Sequence, residues 1–270
     1  MWDDAGVGWA AFDLVVVRSA WDYAERRDAF LEWAASLPRV LNPLPVLEWS
    51  TDKGRYLRDL AAAGVPTVPT AFVDPGEPFP RGAPDQPQRN PRGPEAPPPL
   101  WRPFAVKPAV SAGGRSSAWF DDVDAGAELV RRIHADGRTA MIQPYLGEVT
   151  ETALVFVGGS YSHALRRQVG LPAAGAQDLL YLEEELGPAE ASAAEREIAE
   201  HALTLAPGRL LYGRVDIAAG MVLELELAEP SLYLSFGEGA VERFAASIAR
   251  EAAASQRRRI SEENGPTTSQ

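Results

Sequence analysis

The chain has 270 residues, 46% hydrophobic and 24% charged, with a formal net charge of −12 and no cysteine. That length carries a real core in one large domain or two or three small ones, while the acidic balance argues against nucleic-acid backbone and anionic membrane as partners. The missing cysteines exclude disulfides, thiolate metal sites and cysteine nucleophiles. With no signal-peptide pattern and no run approaching ~18 apolar residues, the expected location is the cytoplasm.

In chain order, "FDLVVVRS" (12–19) is a continuous apolar run and reads as a buried parallel strand. "RRDAFLEWAASL" (26–37) spaces Phe30, Leu31, Trp33, Ala34 and Leu37 as a helix does, and "RVLNP" (39–43) fits a short strand. "STDKGRYLRDLAAAG" (50–64) has Ser/Thr/Asp at its start and Gly at its end, the punctuation of a helix. "VPTVPTAFV" (65–73) is extended. Residues 74–103 then hold 11 prolines and 3 glycines, which excludes helix and central strand and predicts a long surface loop. Beyond it come a strand "FAVKPAV" (104–110), a helix (124–137) and a strand "TAMIQPYLG" (139–147). A hairpin over 151–169 turns at Gly158-Gly159, a helix spans 188–206, and a second hairpin over 210–230 turns at Ala218-Ala219-Gly220. A final helix over 238–255 leads to a polar tail expected to be disordered.

Four features carry chemistry. Lys53 sits in the first turn of its helix. Lys107 lies inside an apolar strand, where burial without an anionic partner is costly, and is followed by the small loop "SAGGRSS" with Gly113 and Gly114. A phosphate loop of the Walker type has the opposite order, glycines before lysine. "IQPYLGEVTE" places apolar backbone and then Glu148 and Glu151 at a strand exit. In "YGRVDIAAGMVLELELAEP", strand alternation puts Glu224 and Glu226 on one face and Leu223, Leu225 and Leu227 on the other. Asp216 and Arg214, across the tight hairpin, can share the acidic face. Three converging carboxylates need a counter-charge, and Mg²⁺ supplies one through oxygen ligands. The plain alternatives are a solvated acidic strand face, a surface lysine at 53 and a simple glycine turn.

Taken in order, these motifs resemble the ATP-grasp superfamily over residues 50–235. The likeness is to its glutathione-synthetase-like and D-alanine–D-alanine-ligase-like branches, through "DKGRYLRDLAAAGVPTVPT", "VKPAVSAGGR", "IQPYLGEVTETALVFVGGSYSHALRR" and "ELELAEPSLY". The bacterial subgroup of O-ureido-serine cyclo-ligases is closest in pattern.

The resemblance implies an α+β fold in which two subdomains sandwich ATP, preceded by an α/β substrate domain. The corresponding division is a partial substrate domain (1–48), a first ATP-grasp subdomain (49–138) with the Pro-rich insert (74–103), a second (139–250), and a disordered tail (251–270). Lys53 and Lys107 would contact the α- and β-phosphates, and the loop of Gly113 and Gly114 would close over them. Gln143, Tyr145 and Leu146 would lie along the adenine. Glu151, with Glu148 as the alternative, would accept the ribose hydroxyls. Arg167, or Arg166, would face the γ-phosphate, and Arg214 would stabilise an acyl phosphate. Asp216, Glu226 and Glu224 would hold Mg²⁺ or Mn²⁺. The family motif ends Glu-x-Asn, whereas this chain has acids throughout "ELELAEP", leaving the choice among Glu224, Glu226 and Glu229 open.

Arg18, Trp21, Asp22 and Tyr23 are candidates for substrate contact. By the same comparison about one βα unit would be absent at the N-terminus. The expected activity is ATP-dependent joining of a small-molecule carboxylate to an amine, between molecules or by cyclisation. The rival readings are a nucleotide-binding remnant without catalysis and a binding protein acting through the Pro-rich loop. A homodimer is compatible with the sequence.

Overall fold

The computed structural model describes residues 1–20, 22–80, 102–173 and 185–263. Most of the Pro-rich insert, and Trp21, lie outside the described residues. Three sheets organise the rest. The N-terminal block pairs β1 (Val15–Val16) with β2 (Val40–Leu41) in parallel, joined by α1 (Arg27–Ser36). Its core is aromatic: Phe30, Tyr23 and Trp33 pack around Val15, Val17 and Val40, and Trp2 meets Phe30 edge-on. Two helices follow, α2 (Leu44–Ser50) and α3 (Lys53–Ala62). The Asp52 side chain caps α3 by accepting from the Arg55 amide at 3.2 Å.

The first large sheet is antiparallel, in the order β3 (Ala71–Val73), β6 (Ala140–Pro144), β4 (Phe104–Pro108), β5 (Ala118–Phe120). Helix α4 (Val123–Ala135) covers one face. Because β6 belongs to this sheet, the second unit begins after residue 144 rather than at 139. Strand β5 is missed by sequence reading, since three residues next to a glycine loop show no alternation.

The second large sheet runs β11 (Met221–Glu226), β10 (Tyr212–Ala218), β7 (Val149–Val157), β8 (Ser160–Val169), β9 (Leu186–Ala189), all antiparallel. Its two faces differ. Leu154, Phe156, Val215, Ile217 and Leu225 pack on α3 and on α5 (Ala193–Thr204). Ala153, Val155, Leu165 and Tyr212 face α6 (Ala240–Glu263) through Phe244 and Ile248. A reciprocal capping box of Ser192 and Glu195 starts α5. Pro188 therefore sits in β9 ahead of the helix instead of in its first turn. Both hairpin turns fall where expected: Gly158 and Gly159, then Ala219 and Gly220, take positive φ, as two-residue hairpin loops require.

The tail expectation needs correction. Residues 251–263 continue α6, because "REAAASQRRR" is rich in strong helix formers and its inner face finds partners. Glu251 pairs with Arg39 at 2.6 Å, and Ser255 donates to the Asp13 carbonyl at 2.9 Å. Residues 264–270 lie outside the described residues. Asn42, fully buried, joins the N-terminal block to the second sheet. Its amide donates to the carbonyls of Tyr212 (2.9 Å) and Leu227 (2.7 Å), and its oxygen accepts from the Leu211 amide (2.8 Å).

Candidate active site

A cavity of about 720 Å³ lies between the two large sheets. Its wall is built from both. Helix α3 brings Lys53 to one side, where Nζ donates to the Ser111 carbonyl at 2.8 Å and pairs with Glu224 at 2.8 Å. Strand β4 brings Lys107. Burial lowers its ammonium below the usual range, Glu224 partly offsets this and Lys53 adds to it. Between β4 and β5 the loop carries Gly113 and Gly114 at φ +64° and +69°, with open space where each Cβ would stand. That left-handed backbone suits glycine. Arg115 of the same loop pairs with Glu25 of the N-terminal block.

The far wall is the polar end of the sheet face that elsewhere packs on α6. In register, Arg214 stands opposite Glu226, Asp216 opposite Glu224, and Glu151 opposite Arg167. Arg214 grips Asp216 with both arms at 2.8 and 2.9 Å and reaches Glu226 at 2.5 Å. Arg167 pairs with Glu151 and reaches Asp216 at 3.1 Å. It also donates to the Tyr233 hydroxyl at 3.1 Å. Asp216, Glu224 and Glu226 each offer an oxygen within 4.8 Å of the others. A register shift after Asp216 leaves Leu223 as the extra residue. It lines the cavity rather than sharing the core face of Leu225 and Leu227, as simple alternation predicts.

Charge is unevenly shared here. Burial raises Glu151 to about 8, with Asp216 adding to it and Arg167 opposing. Burial likewise raises Glu226 to about 7 against the pull of Arg214, and Glu229 to about 8 with help from Glu226. Burial would raise Glu224 too, but the adjacent Lys53 holds it at about 2. The oxygen-only donor set, with more carboxylates than the local cations comfortably ionise, fits a hard divalent cation.

The adenine candidates lie at the other end. Gln143, Tyr145 and Leu146 line the cavity. Gln143 donates to Thr70 Oγ1 at 2.9 Å, and the Tyr145 ring stacks on Trp119 at 5.0 Å and 5°. Trp119 escapes sequence reading together with β5. Glu151 lines the cavity, while Glu148 falls outside its wall. Arg167 is buried at the cavity and Arg166 is exposed on the opposite face of β8, which separates the two arginines. Of the substrate candidates, Tyr23 lines the cavity. Arg18 instead donates to the Pro230 carbonyl at 2.8 Å, and Asp22 is held by Trp2 at 2.8 Å and by Arg26. Glu229, Ser231 and Tyr233 join the wall from the segment after β11.

Comparison with known proteins bears on this arrangement. Residues 1–42 match the family described as D-cycloserine synthetase DcsG, N-terminal domain. The cycloserine biosynthesis protein DcsG of Streptomyces lavendulae is 34% identical over 269 residues, covering 92% of this chain and 86% of the relative. The chain belongs to the DcsG family. The crystal structure of D-cycloserine synthetase DcsG matches with a TM-score of 0.75 at 31% identity, over 93% of this chain and 88% of that one. The fold is shared more widely. D-alanine–D-alanine ligase from Bacillus anthracis complexed with ATP gives 0.59 at 14% identity, over 94% and 81% of the two chains. The ATP-grasp ligase PsnB gives 0.55 at 19%, over 88% and 79%. This DcsG-family chain is thus an ATP-grasp ligase with the expected α+β architecture. No helix among the described residues is long and apolar enough to cross a membrane.

Proposed function

We propose that this ligase activates the carboxylate of a small amino-acid-like substrate as an acyl phosphate and joins it to an amine, either of a second molecule or of its own chain. The observation that carries the reading is one cavity walled by Lys53, Lys107 and the glycine loop on one side and by Arg214, Glu224 and Glu226 on the other, with Asp216 buried directly behind and within 4.8 Å of both carboxylates. The lysines suit the α- and β-phosphates, and Arg167 the γ-phosphate. Gly113 and Gly114 let backbone amides approach phosphate without side-chain obstruction. Gln143, Tyr145 and Leu146 border the adenine, and Glu151 accepts from the ribose. Asp216, Glu224 and Glu226 would hold Mg²⁺, which when bound neutralises phosphate charge.

The substrate carboxylate attacks the γ-phosphorus and ADP leaves. The amine then attacks the acyl carbon, phosphate leaves with the C–O bond pair, and the amine gives up a proton. Arg214, buried on β10 at the cavity wall, stabilises charge on the transferring group. The cyclo-ligation arm draws on likeness to D-cycloserine synthetase.

Two measurements test this. ATP with Mg²⁺ should raise the melting temperature, and ADP should be released steadily with some member of a panel of D- and L-amino acids and their O- and N-substituted derivatives. Stabilisation without ADP release would leave a nucleotide binder; a flat melting temperature would remove the nucleotide reading. Lys107→Ala should weaken ATP binding about 100-fold, the loss of a buried charge-assisted contact. Unchanged affinity, read by calorimetry, would remove Lys107 from the site.

A further inference from the structure

The carboxylates at the cavity can be paired off one by one. Glu151 has Arg167, Asp216 has Arg214 and Arg167, Glu224 has Lys53, and Glu226 has Arg214. Glu229 is the exception: no described residue gives its carboxylate a hydrogen bond or an ion pair. It is nonetheless part of the cavity wall, and of the small cleft that opens from it beside Tyr23 and Lys53. It stands outside the group of three carboxylates whose oxygens come within 4.8 Å of one another. A cation shared by Asp216, Glu224 and Glu226 therefore leaves Glu229 without a direct partner, although the charges of Arg214 and Lys53 act on it from a distance.

Its surroundings describe what would supply one. Tyr23 shares both the cleft and the cavity with Glu229, and burial, followed by the charge of Glu229, pushes its phenol well above the usual range. An aromatic face beside a lone, half-buried carboxylate is a setting for a small organic cation. The other carboxylates of the cleft, Glu224 and Glu226, are held by Lys53 and Arg214, which leaves Glu229 as the one acid there without a direct partner among the described residues. Glu229 follows the carboxylate hairpin by three residues, so a group bound to it belongs to the molecule that reaches the transferring phosphoryl, not to the adenine end.

We propose that Glu229 is a specificity-determining residue that binds the ammonium group of the ligase's amino-acid substrate, with Tyr23 bounding the same subsite. This rests on the ligase reading above and names the substrate class as one carrying a cationic amine besides its reacting carboxylate. The substitution Glu229→Gln keeps size and shape and removes the ability to ionise against a bound ammonium.

The test needs no turnover. Wild type and Glu229→Gln are titrated by thermal shift with AMP-PNP and Mg²⁺ present, using paired probes: serine against glycerate and alanine against lactate, in both enantiomers. Wild type should prefer an amino acid over its hydroxy acid, and Glu229→Gln should lose about tenfold or more of that preference. AMP-PNP affinity and its Mg²⁺ dependence should stay within about twofold. An undiminished preference in the variant overturns the proposal, as does a wild type that prefers no amine. A variant whose Mg²⁺ dependence collapses would make Glu229 a metal ligand and overturn it equally. Failure of wild type to bind AMP-PNP at all would instead strike the ligase reading.

Discussion

His163 shows how much a single buried side chain adds to the pH response of this molecule. Its ring lies on β8, with Nε2 3.0 Å from the Leu232 carbonyl and Nδ1 3.0 Å from Ser162 Oγ. Nε2 must carry the proton to serve the carbonyl. Burial lowers its pKa, the Leu232 contact opposes, and Arg243 adds to the lowering. A folded pKa below the unfolded one means the unfolded chain binds more protons in between. The stability from the neutral ring is full above about 6.5 and is lost as pH falls from there through the lower folded value. Glu151, Glu226 and Glu229, raised in the fold, act with the opposite sign, so comparison with a variant isolates the ring. Between pH 7.5 and 5.5 the urea midpoint of His163→Gln should fall less than that of wild type; equal slopes would show that His163 does not titrate across roughly this window. Gly237 belongs to the same device, because a Cβ there would stand 2.5 Å from the imidazole.

Elements are set by closer constraints than their sequence shows. Helix α4 lies on β4 through Gly126, where a Cβ would come within 2.5 Å of the Phe104 ring. Gly126→Ala should favour the isolated helix by up to ~1 kcal/mol. The overpacking term, typically about 1–3 kcal/mol, should win and give a net loss read as a lower melting temperature. A gain would mean that Phe104 yields easily. Much was legible at this scale. The hairpins announced themselves through Gly158-Gly159 and Gly220, and α3 through Asp52. What escaped has physical reasons. β5 and β9 span three and four residues, too few for a period. The shift at Leu223 comes from pairing with β10 and cannot be read along one strand. Lys53, Lys107, Asp216, Glu224 and Glu226 were legible because their types and order are unusual. Trp119 and Ser111 carry no signal along the chain, and Glu229 reads there only as one more metal candidate, since each acquires its setting only when distant segments meet.

Over the whole molecule, the N-terminal block is fastened to the second sheet by few polar contacts. Asn42 makes three of them, all buried. Asn42→Ala would leave two carbonyls and an amide unsatisfied, at about 1–3 kcal/mol each. The expected result is a loss of at least ~3 kcal/mol in chemical denaturation, or failure to accumulate folded protein. A loss below about 1 kcal/mol would show that water replaces the amide. The block matters to the cavity because it delivers Tyr23 and, through Glu25, a partner for Arg115 of the glycine loop.

The ion pair of Lys53 with Glu224 has a thermodynamic consequence. On the assignment above, the lysine is wanted by phosphate and the carboxylate by a divalent cation, yet each now occupies the other at 2.8 Å. The two ligands therefore share one obstacle, and whichever arrives first removes it for the second. Such linkage is reciprocal and raises both affinities by the same factor. Lys53→Met should remove the obstacle from one side only: Mn²⁺ alone, followed by the resonance of the free ion, should bind the variant several-fold more tightly than wild type, while ATP binds it less well. Weaker Mn²⁺ binding would mean that Lys53 organises Glu224 for the metal rather than holding it back.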